Sequence, residues 1–304
     1  MDIQFEKSLV KRLKTWCQPT LRPTSMIGIG DDAGAIYTSG RPVTICSDLM
    51  IEGTHFDTLF FDQQSGWNDV GHKGLARVLS DLAAMASLPL ACTVSLALPK
   101  NWSETEIENN LEALFAGITK LASRHDCTVI GGDLSRTRGA FVADFAAIGE
   151  VRPASSLWRR DEVRPGDQIY VTGPLGGAAM ALENLQAGKR AETPIENLKR
   201  HWRPEPRLDV ASRLASAPVS GAIDISDGLV NDLTRVCQAS HLSFELDEAS
   251  VPLAEGASLQ HALHGGDDYE LLLFLPDSWH GCDFAQSELK AVGASRIGRV
   301  LSRT

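Results

Sequence analysis

The stretch WNDVGHKGLARVLSDLAAMASLPLACTVSLAL, residues 67–98, decides the fold class because its apolar period changes partway along. From Trp67 to Ser87 the apolar residues recur at helical spacing, and the run stops before Pro89, which cannot continue a helix. From Ala91 to Leu98 they alternate, as on a half-buried strand. Leu82 to Leu98 carries no charge, yet it falls short of a membrane span and Pro89 interrupts it. A helix that turns back as a strand accounts for it better. Upstream, RPVTICSDLMI (41–51) is β-branched and bounded by Gly40 and Gly53, which reads as a strand. Downstream, Asn101 to Arg124 reads as a helix. Ser103 and Glu106 form a capping box, and Ile107, Leu111, Leu114, Ile118 and Leu121 form one stripe. Cys127 to Ile130 and Phe141 to Val151 read as strands, so the first half is an α+β or α/β unit with crossover helices.

At 304 residues the chain exceeds what one core usually serves, which predicts two domains. VRPASSLWRRDEVRPGD (151–167), rich in Pro, Ser and Arg, suits a solvated connection and divides the chain into 1–150 and 151–304. Beyond it, short strands at Gln168 to Thr172, Ala222 to Ile225 and Tyr269 to Phe274 alternate with glycine turns and a helix over Leu229 to Ser240. The first residues, MDIQFEKSLVKRLKTW, read as an amphipathic helix without a secretory apolar core. A net charge of −10 and 6% aromatic content argue against a nucleic-acid partner. Six cysteines without a C-x-x-C pair predict buried free thiols rather than zinc or disulfides, and a cytoplasmic protein with no membrane partner.

The chemistry is carried by acidic turns. Asp31 and Asp32 lie in GIGDDAG, Asp48 in CSDLMIEGTHF, Asp81 in LSDLAAM, and Asp133 in IGGDLSRT. Asp224 and Asp227 lie in DISDGL, and Asp267 and Asp268 in GGDDYELL. Each alone is an ordinary turn. As a set, mostly at predicted strand ends, they can converge on one cleft although distant in sequence. Magnesium takes hard oxygen ligands and shares them with phosphates, while neighbouring glycines let backbone N–H groups approach a phosphate. The pattern therefore predicts metal-bridged phosphoryl chemistry, which requires positioning and charge neutralisation rather than a covalent nucleophile. No Walker motif occurs. GIGDDA matches G-x-G-x-x-A formally, but its two aspartates would repel a pyrophosphate and no clear strand precedes it. GPLGGAAMAL is read as a tight strand–helix turn rather than an anion site. His55 and Lys73 are isolated candidates, and Arg159 and Arg160 sit at the domain junction, where an arginine can clamp phosphate but a solvated basic face is the slightly favoured reading.

Taken in order, GIGDDAG, CSDLMIEGTHF, GLARVLSDLAAMAS, SLALP, IGGDLSRT, DISDGL and GGDDYELLLF resemble the motifs of the thiamine-monophosphate kinase family. That family is related to aminoimidazole ribonucleotide synthetase and selenophosphate synthetase. The resemblance runs from about Ile27 to Phe274. It implies transfer of the γ-phosphoryl group of ATP to thiamine monophosphate, with several Mg²⁺ ions. It also implies a homodimer formed through the sheet of an N-terminal α+β domain, and a C-terminal α/β domain with ATP in the cleft between. By position it implies metal roles for Asp32, Ser47, Asp48, Asp81, Asp133, Asp224 and Asp227, with the Cys46 carbonyl contributing. Asp48 and Asp133 are the pair singled out as catalytic. The same carry-over implies ATP contacts at Gly132, Asp133, Arg160 and Ser226, and substrate contacts at His55 and Asp267. Where the family usually has G-G-E-D-Y-E-L this chain has Gly265-Gly266-Asp267-Asp268-Tyr269-Glu270-Leu271, one methylene shorter at the contacting carboxylate. A related ATP-dependent synthetase and a non-catalytic nucleotide-binding protein are the alternative readings.

Overall fold

A computed structural model describes residues 25–27, 31–37, 40–62, 66–151, 157–280 and 283–303. The N-terminal helix read from the sequence, Gly28 and Gly30 of the glycine motif, and Cys17 and Cys282 lie outside the described residues. The first sheet is built from β1 (Ser25–Ile27), β2 (Gly34–Tyr37), β3 (Pro42–Ile51), β4 (Ser87–Pro99), β5 (Thr128–Thr137) and β6 (Val142–Val151). Its order is β1-β2-β3-β6-β4-β5. β4 and β5 are parallel, and helix α2 (Glu104–Arg124) makes the crossover between them. Helix α1 (Trp67–Ala84) runs ahead of β4.

Sequence and structure agree on the capping box: Ser103 and Glu106 close the start of α2 reciprocally. Helix α1 ends earlier than Pro89 requires, because Ala86 turns into the left-handed region (φ 53°) and the strand begins at Ser87. Pro89 then lies inside β4, tolerated at a register shift against β6 where the ladder is already interrupted. A Cβ on Gly71 would lie 2.0 Å from the Leu114 carbonyl oxygen, and one on Gly117 1.9 Å from that of Asn68. These two glycines let α1 and α2 cross backbone to backbone, a role that helical periodicity does not reveal.

The second sheet contains β7 (Gln168–Val171), β8 (Gly221–Asp224), β9 (Leu242–Leu246), β10 (Leu271–Leu275) and β11 (Ser295–Ser302), in the order β8-β10-β7-β11-β9. Each neighbouring pair in it is antiparallel. Helices α3 (Gly177–Gln186), α4 (Ile195–Trp202), α5 (Leu208–Arg213), α6 (Leu229–Ala239), α7 (Leu259–His264) and α8 (Asp283–Ala291) accompany it. Strand β1 does precede the glycine motif, contrary to the sequence reading. The motif leads into strand β2 and not into a helix, so the dinucleotide fingerprint still lacks its helix N-terminus.

One apolar core runs through both halves, taking in Phe145 of β6 and Phe141 just before it together with Trp158, Tyr170, Trp202 and Leu208. An aromatic pair bridges the two: Phe61 meets Trp202 edge-on at 5.8 Å, while Trp67 meets Phe141 at 4.9 Å within the first half. Arg203 reinforces the junction, pairing with Asp69 and donating to Asn68 at 2.9 Å. Among the described residues, no helix is long and apolar enough to cross a membrane.

Candidate functional site

Strand alternation determines which aspartates meet. On β3, Thr44, Cys46, Asp48 and Met50 share one face, while Ile45, Ser47 and Leu49 are exposed on the other. The face of Asp48 is the one covered by α1. There Arg77 Nη2 donates to its Oδ1 at 3.3 Å. From α1 comes Asp81, from the end of β8 Asp224, and from the turn before β2 Asp32. Carboxylate oxygens of Asp32, Asp81 and Asp224 all lie within 4.8 Å of one another. Burial, and then the charges of neighbouring aspartates, push the Asp81 and Asp224 carboxyls well above the usual carboxylate range. Asp48 shifts the same way, chiefly by burial, with Arg77 opposing. This hard-oxygen cluster is short of cations in the chain itself and could hold divalent metal.

The cluster lines a cavity of about 350 Å³ that also includes Ser47, His55, Arg160, Ser226, Asp227 and Asp267. Arg160 forks onto Asp32, with Nε 3.0 Å from Oδ2, and its backbone N–H donates to Asp31 at 3.2 Å. The arginine expected at phosphate is therefore held on a metal-ligand candidate, joining the halves. Burial, then the adjacent Asp32 charge, raises Asp31 to about 6. The 224–229 turn is organised by Asp232, a buried carboxylate that no sequence motif marks. It accepts from Ser226 N–H at 3.1 Å and Asp227 N–H at 2.9 Å, while Arg235 bridges it to Asp227 at 2.6 Å to each.

The opposite wall is the 265–270 turn. Tyr269 OH donates to Asp267 Oδ1 at 2.8 Å, and Lys73 Nζ donates to Asp267 Oδ2 at 2.7 Å. Burial alone would raise Asp267, but the Lys73 charge, these two hydrogen bonds and Arg77 hold it at about 2. Burial, then the positive charge of Arg77, lowers His55 to about 4, so its ring is neutral at physiological pH. His55 Nδ1 accepts from the Ile51 N–H at 3.0 Å, which fixes the ring. Asp268 turns away: both its oxygens accept from Gly176 N–H, at 3.0 and 2.9 Å. The glycine turn before α3 thus already holds an anion from its own chain, in keeping with a structural turn.

His55 and Asp267 also line a second cavity of about 530 Å³, whose wall includes Ala178, Ala179 and Leu182 of α3. The pair stands where the acidic and the more apolar spaces adjoin. A larger cavity of about 720 Å³ lies elsewhere along α1, α2 and α4. Several of its cations are engaged, Arg203 with Asp69, Arg124 with Glu205 and Lys199 with Glu196. None of the clustered carboxylates lines it.

Asp133 and Gly132 are not brought to the cluster within one chain. They sit on β5, separated from β3 by β6 and β4, about 14 Å across the sheet. The ladder Leu49–Asp144–Ser95–Asp133 puts Asp133 on the open face, opposite to Asp48. A Cβ on Gly132 would lie 1.8 Å from the Val94 carbonyl oxygen, so strand packing alone requires this glycine. Sequence reasoning misses Arg77, Tyr269 and Asp232, and it gives Lys73 little weight. The available signal is the spacing of Lys73, Arg77 and Asp81, four residues apart on one face of a largely apolar helix.

Residues 30–151 match the family described as AIR synthase related protein, N-terminal domain, and residues 164–304 match the corresponding C-terminal domain. A thiamine-monophosphate kinase of Bacillus subtilis is 36% identical over 81% of this chain and 76% of its own length. One of Synechococcus elongatus is 31% identical over 98% of this chain and 89% of its own. Among solved structures, a thiamine-monophosphate kinase of Stenotrophomonas maltophilia superposes with a TM-score of 0.77 at 31% identity, covering 97% and 94% of the two chains. AaThiL complexed with AMPPCP and TMP gives 0.83 at 26% identity, covering 100% and 93%. With its two domain matches and these relatives along nearly its whole length, the chain belongs to the thiamine-monophosphate kinase family of AIR synthase related proteins.

Proposed function

We propose that the protein transfers the γ-phosphoryl group of ATP to the phosphate of thiamine monophosphate, giving thiamine diphosphate and ADP. The observation that carries this reading is the convergence of Asp32, Asp81 and Asp224 within 4.8 Å beside Asp48, in a cavity that adjoins a second one at His55 and Asp267. The relatives' shared activity and the AMPPCP and TMP of AaThiL support it. An acceptor phosphate oxygen attacks the γ-phosphorus and the bond to the β–γ bridging oxygen breaks, with ADP leaving. The acceptor is already ionised near neutral pH, so no strong base is needed.

Mg²⁺ fits the donor set: hard oxygens, chiefly carboxylates crowded enough that burial and mutual repulsion disfavour their ionisation without a counter-ion. Asp32, Asp48, Asp81, Asp224 and Asp227 would hold it, with the Cys46 carbonyl and Ser47 on the same strand. When bound, it neutralises the phosphates. The chain's own part is to orient the acceptor. The fixed negative charge of Asp267 suits the cationic thiazolium, and the neutral, anchored His55 adds a directional contact.

The reading places the halves at 1–150 and 151–304, in a cytoplasmic homodimer. Free buried thiols at Cys46, Cys92, Cys127 and Cys237 suit a reducing compartment. The open face of the first sheet exposes Ile45 (45%) and Leu49 (46%) of β3, apolar side chains that a second copy would cover. Because Asp133 faces away from Asp48 in its own chain, the metal role assigned to it requires such a dimer. Formation of thiamine diphosphate and ADP from thiamine monophosphate, ATP and Mg²⁺, lost on chelation, is the direct test. Turnover with other phosphorylated acceptors but not this one would reject the reading.

A further inference from the structure

We infer that Lys73 is the positioning residue of the acceptor end of the site, fastening His55 and Asp267 into one arrangement across the two halves of the chain; this rests on the acceptor reading above. Lys73 is 0% exposed in the middle of α1. Its Nζ donates to the Asp267 carboxylate at 2.7 Å and to the His55 carbonyl oxygen at 3.1 Å. One ammonium thus joins a turn after β3 to a turn before β10, 194 residues apart from its carboxylate partner in sequence.

Burying an ammonium is costly, and for stability alone an apolar pair of similar volume would serve as well or better. The ion pair adds a fixed place for the carboxylate. Asp267 keeps 28% of its side chain exposed, and with His55 it lines both cavities. The turn that carries it is also held in an unfavourable backbone. Asp267 (φ 65°) and Tyr269 (φ 51°) are both left-handed without being glycine. Such a backbone is unfavourable for residues that carry a side chain and persists only when their surroundings impose it. The imposing contacts are Asp267 N–H to the Ser226 carbonyl (3.0 Å), Tyr269 N–H to the Ile225 carbonyl (2.9 Å), and the Lys73 and Tyr269 bonds to the carboxylate. Of these, Lys73 alone also reaches His55.

The test is a split between the two substrates. Lys73→Met should raise KM for thiamine monophosphate by about 10- to 100-fold, the scale of a contact displaced by about 1 Å, while KM for ATP changes less than about threefold. In the Asp267→Asn background, the same substitution should add little, because the partner it positions is already neutral. Should Lys73→Met fail to fold, Lys73→Arg carries the test. It keeps the charge but forces the longer fork against Asp267, and the acceptor KM should again rise selectively. A folded variant with an unchanged acceptor KM, or with equal losses for ATP and acceptor, overturns the positioning role while wild-type activity upholds the acceptor reading. Wild-type protein that binds ATP and Mg²⁺ but neither binds nor phosphorylates thiamine monophosphate overturns both.

Discussion

Replacing Asp81 by Asn should stabilise the metal-free protein while destroying its response to magnesium. Two carboxylate oxygens within 4.8 Å of each other repel by at least about 3.5 kcal/mol at an effective dielectric near 20. The cluster can escape by keeping a proton, but holding an aspartate neutral at pH 7 costs about 4 kcal/mol relative to an unfolded chain with pKa near 3.9. Either way the strain is several kcal/mol. Arg160 on Asp32 offsets part of it, leaving about 2 kcal/mol to be relieved by Asn, or roughly 4 °C in Tm. The pH dependence has a definite sign. Raised folded-state values at Asp81 and Asp224 mean that the folded protein binds more protons than the unfolded chain from about pH 4 upward. Metal-free stability therefore falls as pH rises through that window, and the fall should shrink in Asp81→Asn. Scanning calorimetry with EDTA and then with excess Mg²⁺ measures both effects. A lower Tm for the variant in EDTA, or an undiminished Mg²⁺-induced rise, would refute the repulsion argument.

Asp48→Asn should lower kcat by at least about 100-fold under saturating Mg²⁺, read by ADP release. If the active site is composed across a dimer, mixing inactive Asp48→Asn and Asp133→Asn subunits after partial unfolding should restore measurable turnover; no restoration would confine the site to one chain. Leu49→Glu on the open face should convert a dimer to monomer by sedimentation velocity, with the fold retained by circular dichroism. Gly132→Ala should cost several kcal/mol by thermal melt, because its Cβ would overlap the Val94 carbonyl in the adjacent strand. The His55 ring should remain neutral from pH 8 down to about 5 by nitrogen NMR, since burial and Arg77 lower it to about 4.

The sequence by itself determined the elements whose apolar period is long and clean, and it located the chemistry in the acidic turns. The helix-to-strand change over residues 67–98 and the Ser103–Glu106 capping box were legible because each depends on neighbours within a few positions. Strands of three or four residues such as β1 and β2 were not, since so short a run carries no period. Tertiary structure alone decided which aspartates share a site. Asp32, Asp81 and Asp224 come from a turn, a helix and a strand end and meet within 4.8 Å. Asp133, whose motif looks the same in sequence, lies on the far strand and the other face. The physical reason is that sheet order and side-chain parity are set by long-range pairing. A motif's composition specifies what a turn can bind, and pairing specifies where its side chains point. Lys73 shows the same division: a lone lysine in an apolar helix is ambiguous until the fold places Asp267 and the His55 carbonyl on either side of its ammonium.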